Sequence, residues 1–297
     1  MITGNGGFIG GSLFEELKKI GFETYGLEDN YFQQENWTQD LLSFLNYVEP
    51  EIVFHVGACS DTLEKNVDYM MTRNYESTKI IMDWCKEKDV PMIYSSTAAN
   101  YGTNEKYPSN LYGWSKYVGE GYVISNGGIA LRYFNPAGAD ASGMIGELPL
   151  GKAANLVPII TQAAAGVYEQ PIKITGVDFP TPDGSAIRNY VHVTDLAKAH
   201  LAALEWLETQ NINTFDVFNI GTGRGTSVIE MIDTFVMQVE PDLITAEKAD
   251  RRPGDPAEVW CDASKAKSVL GWEAELSVLD ILKSAWTWEQ KVRGLDI

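Results

Sequence analysis

Met1-Ile2-Thr3-Gly4-Asn5-Gly6-Gly7-Phe8-Ile9-Gly10 opens the chain and decides its fold. Gly4, Gly7 and Gly10 follow the spacing G-x-x-G-x-x-G, between an apolar strand of at most about three residues and a helical pattern. Such a loop makes a tight turn and lets a pyrophosphate approach the backbone, with the helix N-terminus facing the phosphates. The spacing alone leaves a glycine-rich turn without function as the alternative.

An acidic pair follows the next predicted strand, over residues 22–27. Glu28 and Asp29 lie about 20 residues beyond the glycines, where a carboxylate binds the ribose diol of a dinucleotide and repels a 2′-phosphate. The pair therefore favours NAD over NADP. Either residue satisfies the spacing, and a solvated acidic turn is the alternative for each.

Small and hydroxyl-bearing residues end the next two predicted strands. Residues 51–58 form a buried-strand pattern that ends in Gly57 and Ala58, as is needed where a cofactor lies against the backbone. A helix is predicted over residues 66–88. The strand that follows leads into Ser95 and Thr97, at the carboxyl edge where open α/β sheets bind ligands. We interpret His55 as a core histidine.

A tyrosine and a lysine four residues apart follow these hydroxyls. On a helix Tyr112 and Lys116 rise from one face, one turn apart. An ammonium beside a phenol favours the phenolate, so we expect Lys116 to lower the pKa of Tyr112 and make it a base near neutral pH. By itself the spacing is more typical of a surface pair.

The order of elements predicts an α/β fold with two domains. A Rossmann-type doubly wound parallel sheet, the NAD-binding domain, is expected over residues 1–135 plus 190–222. Residues 136–189 plus 223–297 are richer in loops, and we expect them to form a smaller α/β substrate-binding domain.

Composition limits the partners and the location. The net charge of -18, from 41 acidic and 23 basic residues, argues against nucleic acid or an anionic membrane as a broad-surface partner. Three cysteines have no metal-ligand spacing, so no metal site is predicted, and they suit a reducing compartment. No leader or spanning apolar run is evident, and a cytoplasmic protein is expected.

Together these patterns resemble the extended short-chain dehydrogenase/reductase family and, within it, the UDP-glucose (UDP-galactose) 4-epimerases. The resemblance covers nearly the whole chain. Its most specific segments are 131–139 (LRYFNPAGA), 155–158 (NLVP), 181–184 (TPDG), 188–193 (RNYVHV), 251–257 (RRPGDPA) and 270–272 (LGW).

The resemblance implies NAD-dependent epimerisation at C4 of a UDP-hexose through a transient 4-keto sugar. It implies that Tyr112 takes the proton of the 4-hydroxyl, that Lys116 tunes Tyr112 and binds the nicotinamide ribose, and that Thr97 bridges the phenol and the reacting oxygen. The matching cofactor-binding positions are Gly4, Gly7, Phe8, Ile9, Gly10, Glu28, Asp29, Gly57, Ala58, Asn74, Ser95, Tyr112 and Lys116. The matching substrate-binding positions are Thr97, Asn135, Asn155, Leu156, Arg188, Arg252, Asp255 and Val259.

Two further expectations follow from the resemblance. Val259 stands where side-chain bulk controls room for a 2-N-acetyl group, so UDP-GlcNAc is expected to be accepted beside UDP-glucose. A homodimer is also implied, packed through the helices around residues 74–88 and 112–124.

Two alternatives stay open. Segments 55–60 (HVGACS), 69–71 (YMM) and 110–116 (NLYGWSK) resemble the ADP-glycero-manno-heptose 6-epimerases, although the second-half motifs argue against that substrate. A non-catalytic NAD-binding regulator has the same fold, but such proteins typically lose the tyrosine or the lysine. A 4,6-dehydratase is disfavoured, because Ala98 and Ala99 after Thr97 cannot move a proton.

Overall fold

A computed structural model describes residues 1–102, 107–149, 151–210, 214–252 and 254–295, and for Asp29 it describes the backbone alone. Within these ranges no helix combines the length and the apolar character needed to cross a membrane.

The described residues form helices and strands in alternation along most of the chain. The strands are β1 (Ile2–Thr3), β2 (Gly26–Leu27), β3 (Val53–His55), β4 (Met92–Thr97), β5 (Ile129–Tyr133), β6 (Asn135–Ala137), β7 (Ile172–Thr175), β8 (Ile187–Arg188), β9 (Tyr190–His192), β10 (Asp216–Ile220), β11 (Thr226–Ser227) and β12 (Ala246–Ala249). The α-helices are α1 (Phe8–Lys19), α2 (Trp37–Val48), α3 (Val67–Met71), α4 (Ser77–Lys88), α5 (Leu111–Ser125), α6 (Leu156–Ala164), α7 (Val193–Glu208), α8 (Val228–Gln238) and α9 (Val278–Arg293).

The chain divides into two compact units. The first unit comprises residues 1–133, 197–220 and 265–272, and the second comprises 134–196, 221–264 and 273–297. The division differs from the predicted boundaries in four segments. Residues 134–135, 190–196 and 221–222 belong to the second unit, and residues 265–272 belong to the first.

The first unit is built on a six-stranded parallel sheet with the strand order β10-β5-β4-β3-β1-β2. The order reverses direction at β1, which pairs with both β2 and β3, so the sheet is doubly wound. The predicted fold class is confirmed. All six strands end at one edge, and this edge carries the glycine loop, Gly57, Thr97 and the residues after Tyr133.

Apolar strand residues and the helices packed on them form the core of the first unit. Its fully buried members include Leu41 and Leu45 of α2, Ile81 of α4, Tyr94 of β4 and Ala130 of β5. The two-residue strand β2 is shorter than the predicted strand over residues 22–27, because Phe22 and Tyr25 face solvent rather than this core.

The second unit contains three two-stranded sheets beside a helical core. Strands β6 and β9 pair in parallel, as do β7 and β12, whereas β8 and β11 pair antiparallel. Helices α6, α8 and α9 contribute the buried apolar residues Ile160, Phe235 and Leu282.

The helix predicted over residues 66–88 is interrupted. Between α3 and α4, residues 72–76 form a π-helical turn that contains Asn74. Such turns are rare in proteins and occur often at functional sites. The Asn66 side chain caps α3 by accepting a hydrogen bond from the Tyr69 N–H at 3.1 Å.

Candidate active site

The glycine loop has a geometry that only glycine tolerates at two positions. Gly4 has a φ of +68°, and the Gly7 N–H donates to the Gly4 carbonyl at 3.0 Å. A Cβ atom at Gly10 would lie 2.1 Å from the Gly4 carbonyl oxygen. Gly7 caps α1 without a side chain, so the first N–H groups of that helix face the loop. Phe8 and Ile9, the first residues of α1, are half-buried.

Glu28 lies against this loop. A Cβ atom at Gly6 would be 2.9 Å from Glu28 Oε1, which places the carboxylate beside Gly6, and its contact with a ribose stays a prediction. The side chain of Asp29, the other predicted candidate, lies outside what the structure describes. Gly57 also packs closely, since a Cβ at Gly4 would be 2.6 Å from its Cα atom. Backbone contacts leave no space for a side chain at Gly4 or Gly10, as a loop that binds a dinucleotide pyrophosphate requires.

The predicted catalytic residues lie together on β4 and α5. Thr97 is the last residue of β4, 9% exposed, and its hydroxyl forms a hydrogen bond with the half-buried Tyr112. Lys116 is one turn after Tyr112 and only 3% exposed, with its Nζ atom 4.2 Å from the centroid of the Tyr94 ring. The pair is not the surface pair that the spacing alone makes more typical.

Close packing explains why α5 presents this face inward. The helix begins after Asn110, whose side chain accepts from the Gly113 N–H at 2.8 Å. A Cβ atom at Gly113 would lie 2.9 Å from the Ala99 carbonyl oxygen, and one at Gly119 would lie 2.6 Å from the Tyr94 hydroxyl. These two glycines allow the helix to approach β4 and the turn after it.

The expected lowering of the Tyr112 pKa by Lys116 is wrong for this structure. Burial raises the pKa of the Tyr112 phenol, the Cys59 thiol adds to the increase, and the hydrogen bond with Thr97 opposes it. Burial also lowers the pKa of Lys116 to about 7, against the opposing influence of Glu120. Because desolvation penalises both charged forms, helical spacing alone does not produce a phenolate here.

Asn74 and Ser95 form hydrogen bonds within the protein, and their contact with the cofactor stays a prediction. Asn74 is 1% exposed, its Oδ1 accepts from the Cys59 N–H at 2.7 Å, and its Nδ2 donates to the Cys59 carbonyl at 2.9 Å and to Ser115 Oγ at 2.9 Å. The Ser95 hydroxyl donates to the His55 carbonyl at 3.0 Å. Both residues therefore support the segment that contains Gly57 and the half-buried Ala58.

Part of the predicted nucleotide-sugar set comes together in the second unit. Arg188 Nη2 lies 2.8 Å from Asp255 Oδ1. The Val259 N–H donates to the Ile187 carbonyl at 3.1 Å, which brings Val259 beside this ion pair. Arg252 is exposed.

The other predicted substrate residues lie on different elements of this unit. Asn135 begins β6, and its N–H donates to the Asn189 carbonyl at 2.9 Å. Asn155 is exposed, caps the start of α6 ahead of Leu156, and donates from Nδ2 to Glu147 Oε1 at 2.5 Å. Among the described residues no hydrogen bond or ion pair joins Asn155 to the Arg188–Asp255 pair.

Sequence analysis missed two charged residues near the first-unit site. Glu120 follows Lys116 by four residues and is buried, so the same helical spacing could have identified it. The Arg73 guanidinium lies 3.9 Å from the Tyr69 ring centroid and 4.8 Å from that of Phe32, in the turn after Glu28. Helical i, i+4 spacing could have indicated the contact with Tyr69, but no local pattern predicts the contact with Phe32, which lies in a distant segment of the chain.

Comparisons with known proteins agree with this geometry. Residues 1–221 match the family described as "Epimerase: NAD dependent epimerase/dehydratase family". UDP-glucose 4-epimerase of Yersinia enterocolitica is 36% identical over 269 residues, which cover 84% of this chain and 78% of that protein.

Two solved structures are similar over nearly the whole chain. UDP-glucose 4-epimerase of Stenotrophomonas maltophila, with bound NAD and formylated UDP-arabinopyranose, has a TM-score of 0.90 and 27% identity, covering 99% of this chain and 98% of that one. The Bifidobacterium longum enzyme, in complex with NAD+ and UDP, has a TM-score of 0.82 and 31% identity, covering 98% and 97%. The family match over most of the chain and these likenesses lead to one conclusion: this chain belongs to the NAD dependent epimerase/dehydratase family.

Proposed function

We propose that the protein catalyses NAD-dependent epimerisation at C4 of a UDP-hexose, interconverting UDP-glucose and UDP-galactose through a transient 4-keto sugar. The observation that carries the proposal is the buried grouping of Thr97, Tyr112 and Lys116 at the carboxyl edge of the first-unit sheet. In this proposal the first unit holds the cofactor and the second unit holds the nucleotide sugar.

Each catalytic side chain has a distinct task. Tyr112 removes the proton of the 4-hydroxyl and later returns it to the 4-keto oxygen, while Thr97 orients that oxygen by hydrogen bonding. When bound at the glycine loop, NAD would supply a hydride acceptor and donor for C4, together with the positive charge of its nicotinamide ring. Burial raises the pKa of Tyr112, so the site needs added positive charge, including a protonated Lys116, to form the phenolate.

The nucleotide is held by residues of the second unit. Arg188 and Arg252 supply positive charge for the diphosphate of a chain whose net charge is -18. Arg188 pairs with Oδ1 of Asp255. The other carboxylate oxygen of Asp255, Oδ2, can accept a hydrogen bond from the uridine ribose. We assign Asn135, Asn155, Leu156 and Val259 to the same ligand by their family positions.

Turnover without added cofactor tests the reaction. The purified protein is incubated with UDP-galactose, UDP-GalNAc or ADP-heptose in deuterated water, and products are identified by NMR. We expect UDP-glucose to form from UDP-galactose with C4 still carrying protium, because the hydride returns from the cofactor. Conversion of ADP-heptose, with no conversion of the two UDP-sugars, would establish the heptose 6-epimerase alternative. Deuterium at C4 would refute internal hydride return.

A tyrosine variant separates an enzyme from a cofactor-binding regulator. Tyr112→Phe removes the only group proposed to move the proton of the 4-hydroxyl, so turnover should fall by about 10²-fold or more. Retention of NAD by the variant, measured by release on denaturation, is the control for folding. Unchanged turnover would remove Tyr112 from the mechanism.

Substrate breadth depends on Val259. Its side chain is small and its backbone is fixed beside Ile187, so we propose that the sugar pocket accepts an N-acetyl group. UDP-GlcNAc should be converted, and Val259→Tyr should remove that conversion while leaving UDP-galactose a substrate. Failure of the wild-type protein to convert UDP-GlcNAc would contradict this.

We also propose a cytoplasmic homodimer. The outer face of α5 exposes Trp114 (43%), Tyr117 (39%) and Val118 (37%), an apolar surface of the kind that a second copy covers. Cys59, Cys85 and Cys261 are free thiols, which suits a reducing compartment. Sedimentation of the wild-type protein and of Tyr117→Lys measures the assembly, and a monomeric wild-type protein would refute it.

A further inference from the structure

Glu120 is a buried carboxylate that the proposed reaction does not use. It lies on α5 four residues after Lys116 and eight after Tyr112, on the same side of the helix, and it is 3% exposed. A carboxylate with so little water contact needs strong partners, because desolvation disfavours its charged form.

Four hydrogen bonds satisfy the two oxygens of Glu120. Oε2 accepts from the Ser96 hydroxyl at 2.5 Å, from Asn100 Nδ2 at 3.0 Å and from Arg132 Nε at 2.8 Å. Oε1 accepts from Arg132 Nη2 at 2.5 Å. The Ser96 hydroxyl also accepts from Asn100 Nδ2 at 3.0 Å, so the cluster is closed on itself.

These partners come from three separate elements. Ser96 is on β4 immediately before Thr97, Asn100 is in the turn that follows, and Arg132 is on β5. Glu120 therefore joins the strand end that carries Thr97 to the helix that carries Tyr112. A shift of this helix along β4 would break several of the four bonds together.

Arg132 is itself fixed on its other side. Its Nη1 donates to the Tyr101 hydroxyl at 2.7 Å, and that hydroxyl donates to Asn219 Oδ1 at 2.8 Å. The guanidinium thus cannot follow a displaced Glu120 without losing these bonds. The buried ion pair is a fixed point in the first unit rather than an adaptable surface contact.

Glu120 also contributes charge near Lys116. Among the described residues, Tyr94 on β4 and His55 on β3 are further titratable groups beside Lys116, and Tyr112 lies one turn before it on the same helix. Burial lowers the pKa of His55 to about 3 and raises that of Tyr94, so both are neutral near pH 7. Glu120 is the group that raises the pKa of Lys116 against the effect of burial.

We propose that Glu120 is a positioning residue of the proposed reaction: its carboxylate fixes Thr97 relative to Tyr112 and stabilises the ammonium form of Lys116. This role rests on the proposed function, because Thr97 and Lys116 both act in the proposed epimerisation. Glu120 touches neither reacting atom, so its effect acts through Thr97 and Lys116.

Glu120→Gln removes the charge while keeping the shape and one acceptor oxygen. We expect kcat for UDP-galactose to fall at least about tenfold with little change in KM, because catalytic alignment is lost and substrate binding is not. Activity needs the Lys116 ammonium, so it declines as pH rises through the Lys116 pKa. Without the negative charge of Glu120 the pKa of Lys116 falls. The loss of activity in Glu120→Gln should therefore occur at a pH lower by about one unit than in the wild type.

Glu289→Gln is the matched control. Glu289 is also buried, at 1% exposure, and accepts from Arg293 Nε at 2.8 Å, but it lies on α9 in the second unit. This variant should lose thermal stability while keeping the wild-type kcat and pH profile. If Glu289→Gln changes the pH profile as Glu120→Gln does, the effect is general destabilisation and the proposal is wrong.

Two further variants separate alignment from charge. Glu120→Asp keeps the charge with a shorter reach, and Ser96→Ala removes one bond while retaining the carboxylate. Both should lower kcat and leave the pH of the decline near that of the wild type. Ser96→Ala also replaces Glu120→Gln as the test if the latter does not fold, and an unchanged kcat in Ser96→Ala would then overturn the alignment role.

A readout independent of turnover distinguishes this proposal from the proposed function. In protein labelled with ¹³C at the lysine ε-carbon, NMR titration follows the Lys116 ammonium, assigned with Lys116→Arg, in wild type and Glu120→Gln. A lower Lys116 pKa in Glu120→Gln supports the charge role even if the wild-type protein turns over no UDP-hexose. Equal Lys116 pKa values in the two proteins would overturn the charge role.

Discussion

His55 should make folding of this chain sensitive to pH in a measurable way. Its ring joins β1 to α4, with Nδ1 2.8 Å from Thr3 Oγ1 and Nε2 2.9 Å from Thr78 Oγ1. The Thr78 hydroxyl donates to the Asn74 carbonyl, so Nε2 must carry the hydrogen. Thr3 Oγ1 accepts from the Gly57 N–H, which leaves its own hydrogen for Nδ1. The neutral Nε2–H tautomer therefore satisfies the whole chain of bonds.

Protonation would break this arrangement. A second N–H on the ring would leave the Thr3 hydroxyl hydrogen without its acceptor and would place a charge in a site that is 2% exposed. Burial, followed by the positive charge of Lys116, lowers the pKa of His55 from 6.5 to about 3. Below about pH 6.5 the unfolded chain binds a proton at His55 that the folded chain does not bind. The free energy of unfolding therefore rises with pH between the folded-state and the unfolded-state pKa of His55.

The expected magnitude follows from the shift. Each pH unit inside the window changes the free energy of unfolding by about 1.4 kcal/mol for one proton. Between about pH 6 and pH 4, His55 should therefore remove about 2–3 kcal/mol of stability on acidification. Carboxylates add their own pH dependence, but it is common to the wild type and a His55 variant and cancels in the difference.

Urea unfolding, followed by circular dichroism at several pH values, measures this difference between the wild type and His55→Gln. The wild-type curve should be steeper by about 1.4 kcal/mol per pH unit between about pH 4 and pH 6. Thr78→Val is the matched control, because it removes a hydrogen bond to His55 and keeps the titrating ring. It should lower stability at every pH while retaining the wild-type slope. Parallel curves for the wild type and His55→Gln would refute the reasoning.

Three further predictions concern the cofactor. Gly10→Ala places a Cβ atom 2.1 Å from the Gly4 carbonyl oxygen, so the loop must open and NAD affinity measured by calorimetry should fall at least about tenfold. Glu28→Ser removes the carboxylate that repels a 2′-phosphate, and the ratio of NADP to NAD affinity should rise about tenfold or more, whereas an unchanged ratio would point to Asp29. Arg73→Gln removes a cation beside the segment after Glu28, so NAD affinity should weaken about threefold or more, with thermal unfolding as the check on folding.

The part of the fold that was predictable depends on short-range patterns. The glycine spacing defined the first loop and helix, and the alternating segment at residues 172–175 (IKIT) predicted β7 correctly. The helix through Tyr112 and Lys116 was also predicted, because residues four apart lie on the same face of a helix. Each of these signals is contained within a dozen residues of the chain.

Some parts that were missed have a local signal, and others depend on contacts between distant segments. Helices α2 and α8 were not predicted, although Leu41 and Leu45 lie on one buried face of α2. The π-helical turn at Asn74 is set by bonds to Cys59 and Ser115, which are 15 and 41 residues away in sequence. No local pattern contains such information, because the turn is stable only once its partners are in place.

The electrostatics of the site show the same limit most clearly. The spacing of Tyr112 and Lys116 placed both on one helix face, but it could not report that Lys116 is 3% exposed and that burial disfavours both charged forms. Burial raises the pKa of the Tyr112 phenol, which therefore stays protonated near pH 7. Under the proposed function, the charge that forms the phenolate must come with the cofactor and from the ammonium that Glu120 supports. Acid–base chemistry is then coupled to cofactor binding, which leaves the tyrosine inactive as a base until hydride transfer is possible.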